Sequence, residues 1–301
     1  MEWRISEAAA TLALLRNKPR GTSWNEIALG IISTGSAANL LADTGDTLLP
    51  DPALQALFDD ALSEVQGWVR QGHKFVTLVD HEYPSQLRDT KDAPPLLFYQ
   101  GDLRTHDEGV CIVGSRNVSS WGLKVASEAA RLAVDMGLTV VSGLASGIDT
   151  AAHRSALAVG GRTVAVIGTG IDRSYPAANK ELQAQIATEG LVITQFLPGS
   201  APTQQSFPMR NVTMSGYGLC TVVVEASERS GTRIQARAAL QHGRAVALSE
   251  KVATTTKWGA DMAERSNTFV FSSPQDLEGA LNKVREQQAG LLRVLSLRIT
   301  G

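Results

Sequence analysis

Two cysteines in 301 residues leave neither a disulfide framework nor a thiolate cluster for a metal. Cys111 and Cys220 each lie inside a wholly apolar run, VCIV and LCTVVV, and read as buried strand residues of a protein in a reducing compartment. Long hydrophobic runs are also missing. None approaches the roughly 18 residues that a membrane span needs, and the opening MEWRISEAAATLALLRNK carries Glu2 ahead of a short apolar stretch, unlike a secretory leader. A cytoplasmic protein without membrane association is therefore expected. An excess of positive charge is the third absence. Lys and Arg number 28 against 30 Asp and Glu, for a net charge of −2. The chain as a whole exerts no pull on nucleic acid, so any anionic ligand must be met by a local patch. No metal and no cofactor is expected.

What is present is length and regular patterning. A chain of this size, 43% hydrophobic, can bury one large core and carry a smaller module beside it. Leu54, Leu57, Phe58, Ala61, Leu62, Val65, Trp68 and Val69 recur at helical spacing and predict one amphipathic helix over 51–72. Ala8–Leu15 and Trp24–Ile32 are helical in pattern, interrupted by Pro19, Gly21 and the Ser33–Ser36 run. Residues 1–72 thus read as a helical N-terminal module. Residues 73–108 hold two short strands, KFVTLVD and LLFYQGD, separated by prolines, and read as an extended lead-in. From 109 to 280 apolar strands (VCIV, LTVV, TVAVI, LVIT, CTVVVE, AVALS) alternate with helices expected over 121–136, 148–159, 177–189 and 231–242. That alternation predicts an α/β, Rossmann-like fold: a parallel sheet covered by helices on both faces. Residues 281–301 read as a C-terminal helix or tail.

In such a sheet, ligands sit beyond the carboxyl ends of the strands, where turn amides and helix N-termini converge. The first of these ends carries Gly114, Ser115 and Arg116: a close-approach position, a hydroxyl donor and a cation able to grip phosphate bidentately. The second carries Ser142, Gly143, Gly147 and Asp149. It is not the GxGxxG of a dinucleotide enzyme, and no acidic residue closes the next strand where a ribose would be held, which argues against a dehydrogenase. His153 reads as a packing residue. The third end has Gly168 and Gly170 in a tight turn. After LVIT a long polar loop, 197–205, leads to Phe207-Pro208-Met209-Arg210-Asn211, which adds a second cation and an amide. The last end has Glu225, able to orient an arginine or bind a ribose hydroxyl, and Ser230-Gly231-Thr232, a further anion nest. No catalytic residue is assigned.

The ordered segments VGSR, VVSGLASGIDTAAH, GGRTVAVIGTGIDRSYPAANKEL, FPMRN and VVVEASERSGT, preceded by DHEYPSQL and APPLLFYQGD, resemble the DprA/Smf family of DNA-processing proteins over roughly residues 70–248. The resemblance implies a homodimer that binds and protects single-stranded DNA and assists loading of RecA recombinase in DNA uptake and recombination, without catalysis. It implies phosphate contacts from Ser115 and Arg116, phosphate or base contacts from Arg210 and Asn211, and a shared pocket lined by the Ser142-Gly143 and Ser230-Gly231-Thr232 turns. The dimer contact is expected near 231–242 and beyond Ala245. The chain departs from the family pattern after FPMRN, where a cation is missing, and after AVALS, where SEKVATTTKWGADMAERSNTFVF stands. Neither a helix-hairpin-helix pattern at the start nor an appended winged-helix domain is expected. A second reading is a regulatory protein on the same fold, the antitoxin partner of a toxin in antiviral defence. A third is a nucleotide sensor or hydrolase using Glu225 and Arg116.

Overall fold

The computed structural model describes residues 2–18, 22–44 and 51–299, with side chains as far as 290. The breaks expected at Pro19 and Gly21 lie outside the described residues.

The N-terminal helices are α1 (Glu2–Arg16), α2 (Trp24–Thr34), α3 (Ala37–Asp43) and α4 (Pro52–Arg70). Helix α2 starts at a capping box in which Ser23 and Glu26 satisfy each other's backbone amides, and α4 starts at Asp51 with proline in its first turn. Helix α3 went unrecognised in the sequence because seven residues show too little period. Alanines at 8, 9, 10 and 13 let α1 sit close against its neighbours, with Ala61 and Val65 of α4 in the same core. Glu7 is buried in α1, and its carboxylate accepts the Ala37 N–H at 2.6 Å and the Ser36 hydroxyl, at the positive end of α3.

Strand β1 (Lys74–Thr77), the short helix α5 (Ser85–Arg88) and β2 (Leu96–Gly101) follow. Trp68 of α4 meets the edges of Phe75 and Phe98, with centroids at 6.0 and 4.9 Å, and so fastens the helical module to this strand pair. The alternating part comprises β3 (Gly109–Val113), α6 (Ser120–Asp135), β4 (Thr139–Ser142), α7 (Ile148–Ala158), β5 (Thr163–Val166), a 3-10 turn at Ala177–Asn179, α8 (Lys180–Glu189), β6 (Leu191–Thr194), α9 (Ser206–Tyr217), β7 (Gly218–Val223), α10 (Thr232–Gln241) and β8 (Ala245–Ser249). Helices α11 (Glu250–Thr255) and α12 (Lys257–Ala263), strand β9 (Thr268–Phe271) and helix α13 (Pro274–Ile299) complete the described chain.

One nine-stranded sheet runs in the order β1-β2-β6-β5-β4-β3-β7-β8-β9. From β6 to β9 every pairing is parallel, and apolar layers cover both faces. The α/β, Rossmann-like architecture with a helical region ahead of it is thus present. Strands β1 and β2 are more than a lead-in: β2 pairs antiparallel with β6, Phe98 opposite Thr194, and extends the same sheet. Helix α13 runs unbroken through 280/281, where the sequence suggested a boundary, because Leu277, Leu281 and Val284 pack on the sheet as one stripe. Helix α9 begins just after the polar loop 197–205, where the sequence pattern predicts no helix, and carries the FPMRN stretch. Thr203 and Ser206 exchange hydrogen bonds at its entrance, and Pro208 sits in the first turn, where a missing N–H costs nothing.

His153 of α7 is fully buried, and its Nδ1 lies 2.7 Å from the Thr163 hydroxyl on β5. That hydroxyl donates to the Val140 carbonyl, so the imidazole is the donor at Nδ1. Burial, reinforced by the positive charge of Arg210, pushes its pKa down from the ordinary 6.5 to about 3. The unfolded chain therefore binds a proton that the folded chain refuses. The stability carried by the neutral ring is whole above pH 6.5 and is lost as pH falls from there toward 3, with a slope of up to about 1.4 kcal/mol per pH unit. Urea midpoints measured between pH 4 and 7 are expected to fall less steeply with acid in His153→Gln than in the parent protein.

Candidate functional site

Across the sheet, the chain moves outward through β3, β4, β5 and β6 in one direction and through β7, β8 and β9 in the other. The strand ends at the reversal are those of β3 and β7, whose following loops diverge and leave a crevice. A cavity of about 330 Å³ lies there. Its walls are the β3 loop (Gly114–Asn117), Ala145 and Asp149 after β4, the first turns of α9, and the β7 loop with the start of α10. A second cavity of about 70 Å³ adjoins it across Arg116, Phe207 and Arg210, and reaches Gly143, Gly168 and Tyr175.

Arg210 forms the partition between the two. It is 4% exposed; one terminal nitrogen donates to the Val166 carbonyl at 2.9 Å, and its Nε has no hydrogen-bond partner. None of the ion pairs among the described residues includes it. Burial lowers its pKa, Asp149 works the other way, and Arg116 adds to the lowering. Asp149 is pushed up by burial and held back by Arg210, by amide bonds from Ala145 and Gly143, and by Arg116. The two charges steady each other without contact. An arginine in this setting is short of an anion.

Helix α9 delivers Arg210 into the crevice, and the chain leaves β4 through Gly143, which passes beneath it. A Cβ at Gly143 would fall on the Arg210 guanidinium. Gly147, at φ +82°, holds the left-handed backbone that brings α7 against the Ser115 and Arg116 carbonyls.

Arg116 is exposed on the opposite wall. Its guanidinium stacks 5.0 Å from the centre of the Phe207 ring, which packs against Tyr175 at 5.5 Å. A cation and two rings thus form a step that is 44% open to solvent at Tyr175. At the start of α10, Ser230 Oγ accepts the Thr232 N–H at 3.2 Å and donates to the Thr232 hydroxyl at 2.8 Å, while Asn211 reaches the Gly231 carbonyl at 3.4 Å. Gln235, one turn further, lines the cavity with a buried Nε2 that has no partner. Trp258 of α12 supports the β7 loop through a hydrogen bond to the Ser227 carbonyl at 3.1 Å, so the segment after β8 shapes this rim.

Gly114, Ser115, Arg116, Asp149, Arg210, Asn211, Ser230, Gly231 and Thr232 therefore line the large cavity, and Gly143 and Gly168 line the small one. Other residues expected at the site fall elsewhere. The Ser142 hydroxyl is buried and spent on the Ile112 carbonyl at 2.7 Å, tying β4 to β3. Gly170 packs against the loop after β6, where a Cβ would meet the Leu197 carbonyl and Gly199 amide, and its own N–H donates to the Ser200 carbonyl at 2.9 Å. Gly147 shapes the wall from behind it, and Glu225 binds Ser119 and Lys251 in place of a ligand. Sequence reading did not assign Phe207 or Gln235. Phe207 opens the FPMRN motif, and Gln235 is one helical turn beyond the Ser230-Gly231-Thr232 nest.

Away from the cleft, Ser215, His242 and Asp92 follow one another at 3.2 and 2.8 Å. Ser215 is 1% exposed and donates to the Val212 carbonyl, so this serine–histidine–aspartate row braces α9 and α10 against the segment before β2.

A sequence model of DNA recombination-mediator protein A matches residues 74–282. DNA processing protein DprA of Streptococcus pneumoniae is 44% identical over 171 residues, which are 56% of this chain and 60% of that protein. Protein Smf of Synechocystis is 40% identical over 178 residues, covering 58% of this chain and 45% of that one. The chain thus spans less than two thirds of the length of these relatives. The X-ray structure of S. pneumoniae DprA superposes with a TM-score of 0.71 at 30% identity, over 89% of this chain and 94% of that one. A structure of DprA from Helicobacter pylori, described for its single-stranded DNA binding mode, superposes at 0.61 and 24% identity over 70% of this chain and 96% of its own.

Because Gly143 lies under Arg210, Gly143→Ala is expected to cost about 1–3 kcal/mol by overpacking. In an Arg210→Ala background the same methyl should cost less than about 0.5 kcal/mol. Urea unfolding of the four proteins in this cycle measures both.

Proposed function

The chain belongs to the DNA recombination-mediator protein A family, and from that premise we propose that the cleft between the β3 and β7 ends binds single-stranded DNA. The observation that carries this reading is Arg210, a buried guanidinium with an unpartnered Nε and no ion pair, at the wall of a cavity. A phosphate supplies the missing charge and acceptors. Arg116 supplies a second cation on the exposed side, the Ser230–Thr232 turn brings the Gly231 amide and the Thr232 hydroxyl to a helix N-terminus, and the Phe207 and Tyr175 rings give bases a face to stack on. The net charge of −2 is no obstacle, since two arginines, Arg116 and Arg210, meet at the one crevice. The description of the H. pylori relative as a single-stranded DNA binder supports the same ligand.

In this reading the chain acts by binding, without catalysis. It works as a homodimer that covers single strands and hands them to RecA recombinase.

The test is fluorescence-anisotropy titration of labelled single-stranded DNA at two salt concentrations. Binding by the parent protein should weaken with salt, by a slope of about 0.7 for each phosphate neutralised. Arg116→Ala is expected to lose about one such contact from the slope and roughly tenfold in affinity. Phe207→Ala should lose about 1–3 kcal/mol of stacking with much less change in slope. Absent or salt-insensitive binding by the parent protein overturns the proposal and turns attention to the partner-regulating reading.

A further inference from the structure

Glu225 follows β7 and touches neither cavity, yet it holds both ends of the loop that carries Arg116. Its backbone carbonyl accepts the Ser115 N–H at 2.7 Å. Its carboxylate Oε2 accepts the Ser119 N–H at 3.1 Å and the Ser119 hydroxyl at 2.9 Å. Ser119 is in turn the cap of α6, receiving the Gly122 N–H at 3.1 Å. The carboxylate has little room to shift, since a Cβ at Gly122 would fall on Oε2. Its other oxygen, Oε1, accepts from Lys251 Nζ at 2.7 Å, and that ammonium rests 4.9 Å above the Trp121 ring. Inside the loop, Ser115 Oγ donates to the Asn117 carbonyl at 2.6 Å, and the Ser115 carbonyl receives the Ile148 N–H at 3.3 Å. Arg116 is left exposed on a backbone fixed on either side.

We propose that Glu225, anchored by Lys251, is a positioning residue for Arg116: it sets the loop from which this guanidinium meets a bound strand. The proposal rests on the reading of the cleft as a single-stranded DNA site. Its physical basis is that an arginine on a held backbone loses less freedom on binding than one on a loose loop. A carboxylate does this better than a neutral acceptor, because it takes charge-assisted bonds from Lys251 and Ser119 at once. Although burial works to raise its pKa, the bonds from Lys251 and Ser119 outweigh that and hold it below the ordinary carboxylate value, so the anchor stays charged at neutral pH.

The experiment is a double-mutant cycle on single-stranded DNA affinity with the full chain, using Glu225→Gln, Arg116→Ala and the pair, each titrated at two salt concentrations. Lys251→Met is measured alongside, and urea unfolding establishes that each variant is folded. Glu225→Gln is expected to weaken binding about tenfold and to lower the salt slope toward that of Arg116→Ala. In the Arg116→Ala background it should have almost no further effect, a result that a general loosening of the fold would not produce. Lys251→Met should shift affinity and slope in the same direction by a smaller factor, and it carries the test if Glu225→Gln fails to fold. Losses that add fully to that of Arg116→Ala, or parent-like binding by Glu225→Gln or, should that variant not fold, by Lys251→Met, overturn the proposal while leaving the cleft as the binding site. No salt-weakened binding by the parent protein would remove the cleft reading and this proposal together.

Discussion

At β3 and β7 the direction of growth across a parallel sheet reverses, and the geometry of right-handed crossovers then forces the two loops apart. Everything at the candidate site follows from that divergence. The loops after β3 and β7 become the two walls, α9 and α10 on one face and α7 on the other aim their first turns at the gap, and the turn after β4 adds Ala145. The antiparallel extension by β1 and β2, and the helical module fastened to it by Trp68, lie toward the other edge.

The crevice concentrates charge that the chain as a whole does not have. Removing a guanidinium from water costs several kcal/mol unless an anion or a full set of acceptors replaces the solvent. Arg210 has one carbonyl and a carboxylate nearby that makes no ion pair with it. Such an arrangement is poor for the stability of the empty protein and well suited to an incoming phosphate, since the desolvation is already complete. Arg116 is its counterpart in the opposite regime: solvated, stacked on Phe207 and held through its backbone. One cation is ready through burial and the other through the loop that bears it.

Much of this was legible in the chain. The apolar strands and the helices between them emerge at nearly their sequence-derived limits, because 2.0 and 3.6 residue periods are local properties that neighbouring residues express together. Helix α9 was not, because Pro208, Ser215 and Gly216 interrupt its period, and its start depends on a Thr203–Ser206 exchange that composition alone does not signal. The glycine turns were legible as turns but not by role. Gly143 and Gly170 look alike in sequence; one passes beneath an arginine and the other packs against the loop after β6. Ser142 was misassigned for a related reason, since a strand-end hydroxyl turns toward a ligand or toward the next strand according to register.

The sequence by itself determined the element types, the parallel α/β arrangement, the family pattern and the set of polar residues available at the strand ends. Those depend on short-range spacing and on motif order. Only the tertiary structure decided which of those residues meet. Arg210 finds its carbonyl 44 positions away, and Glu225 finds Ser119 106 positions away. Contacts over such separations are set by strand order and by the crossing of helices over the sheet, and so by the packing of the whole core. The same packing made Arg210 a buried, unpaired cation, a property no residue type carries on its own.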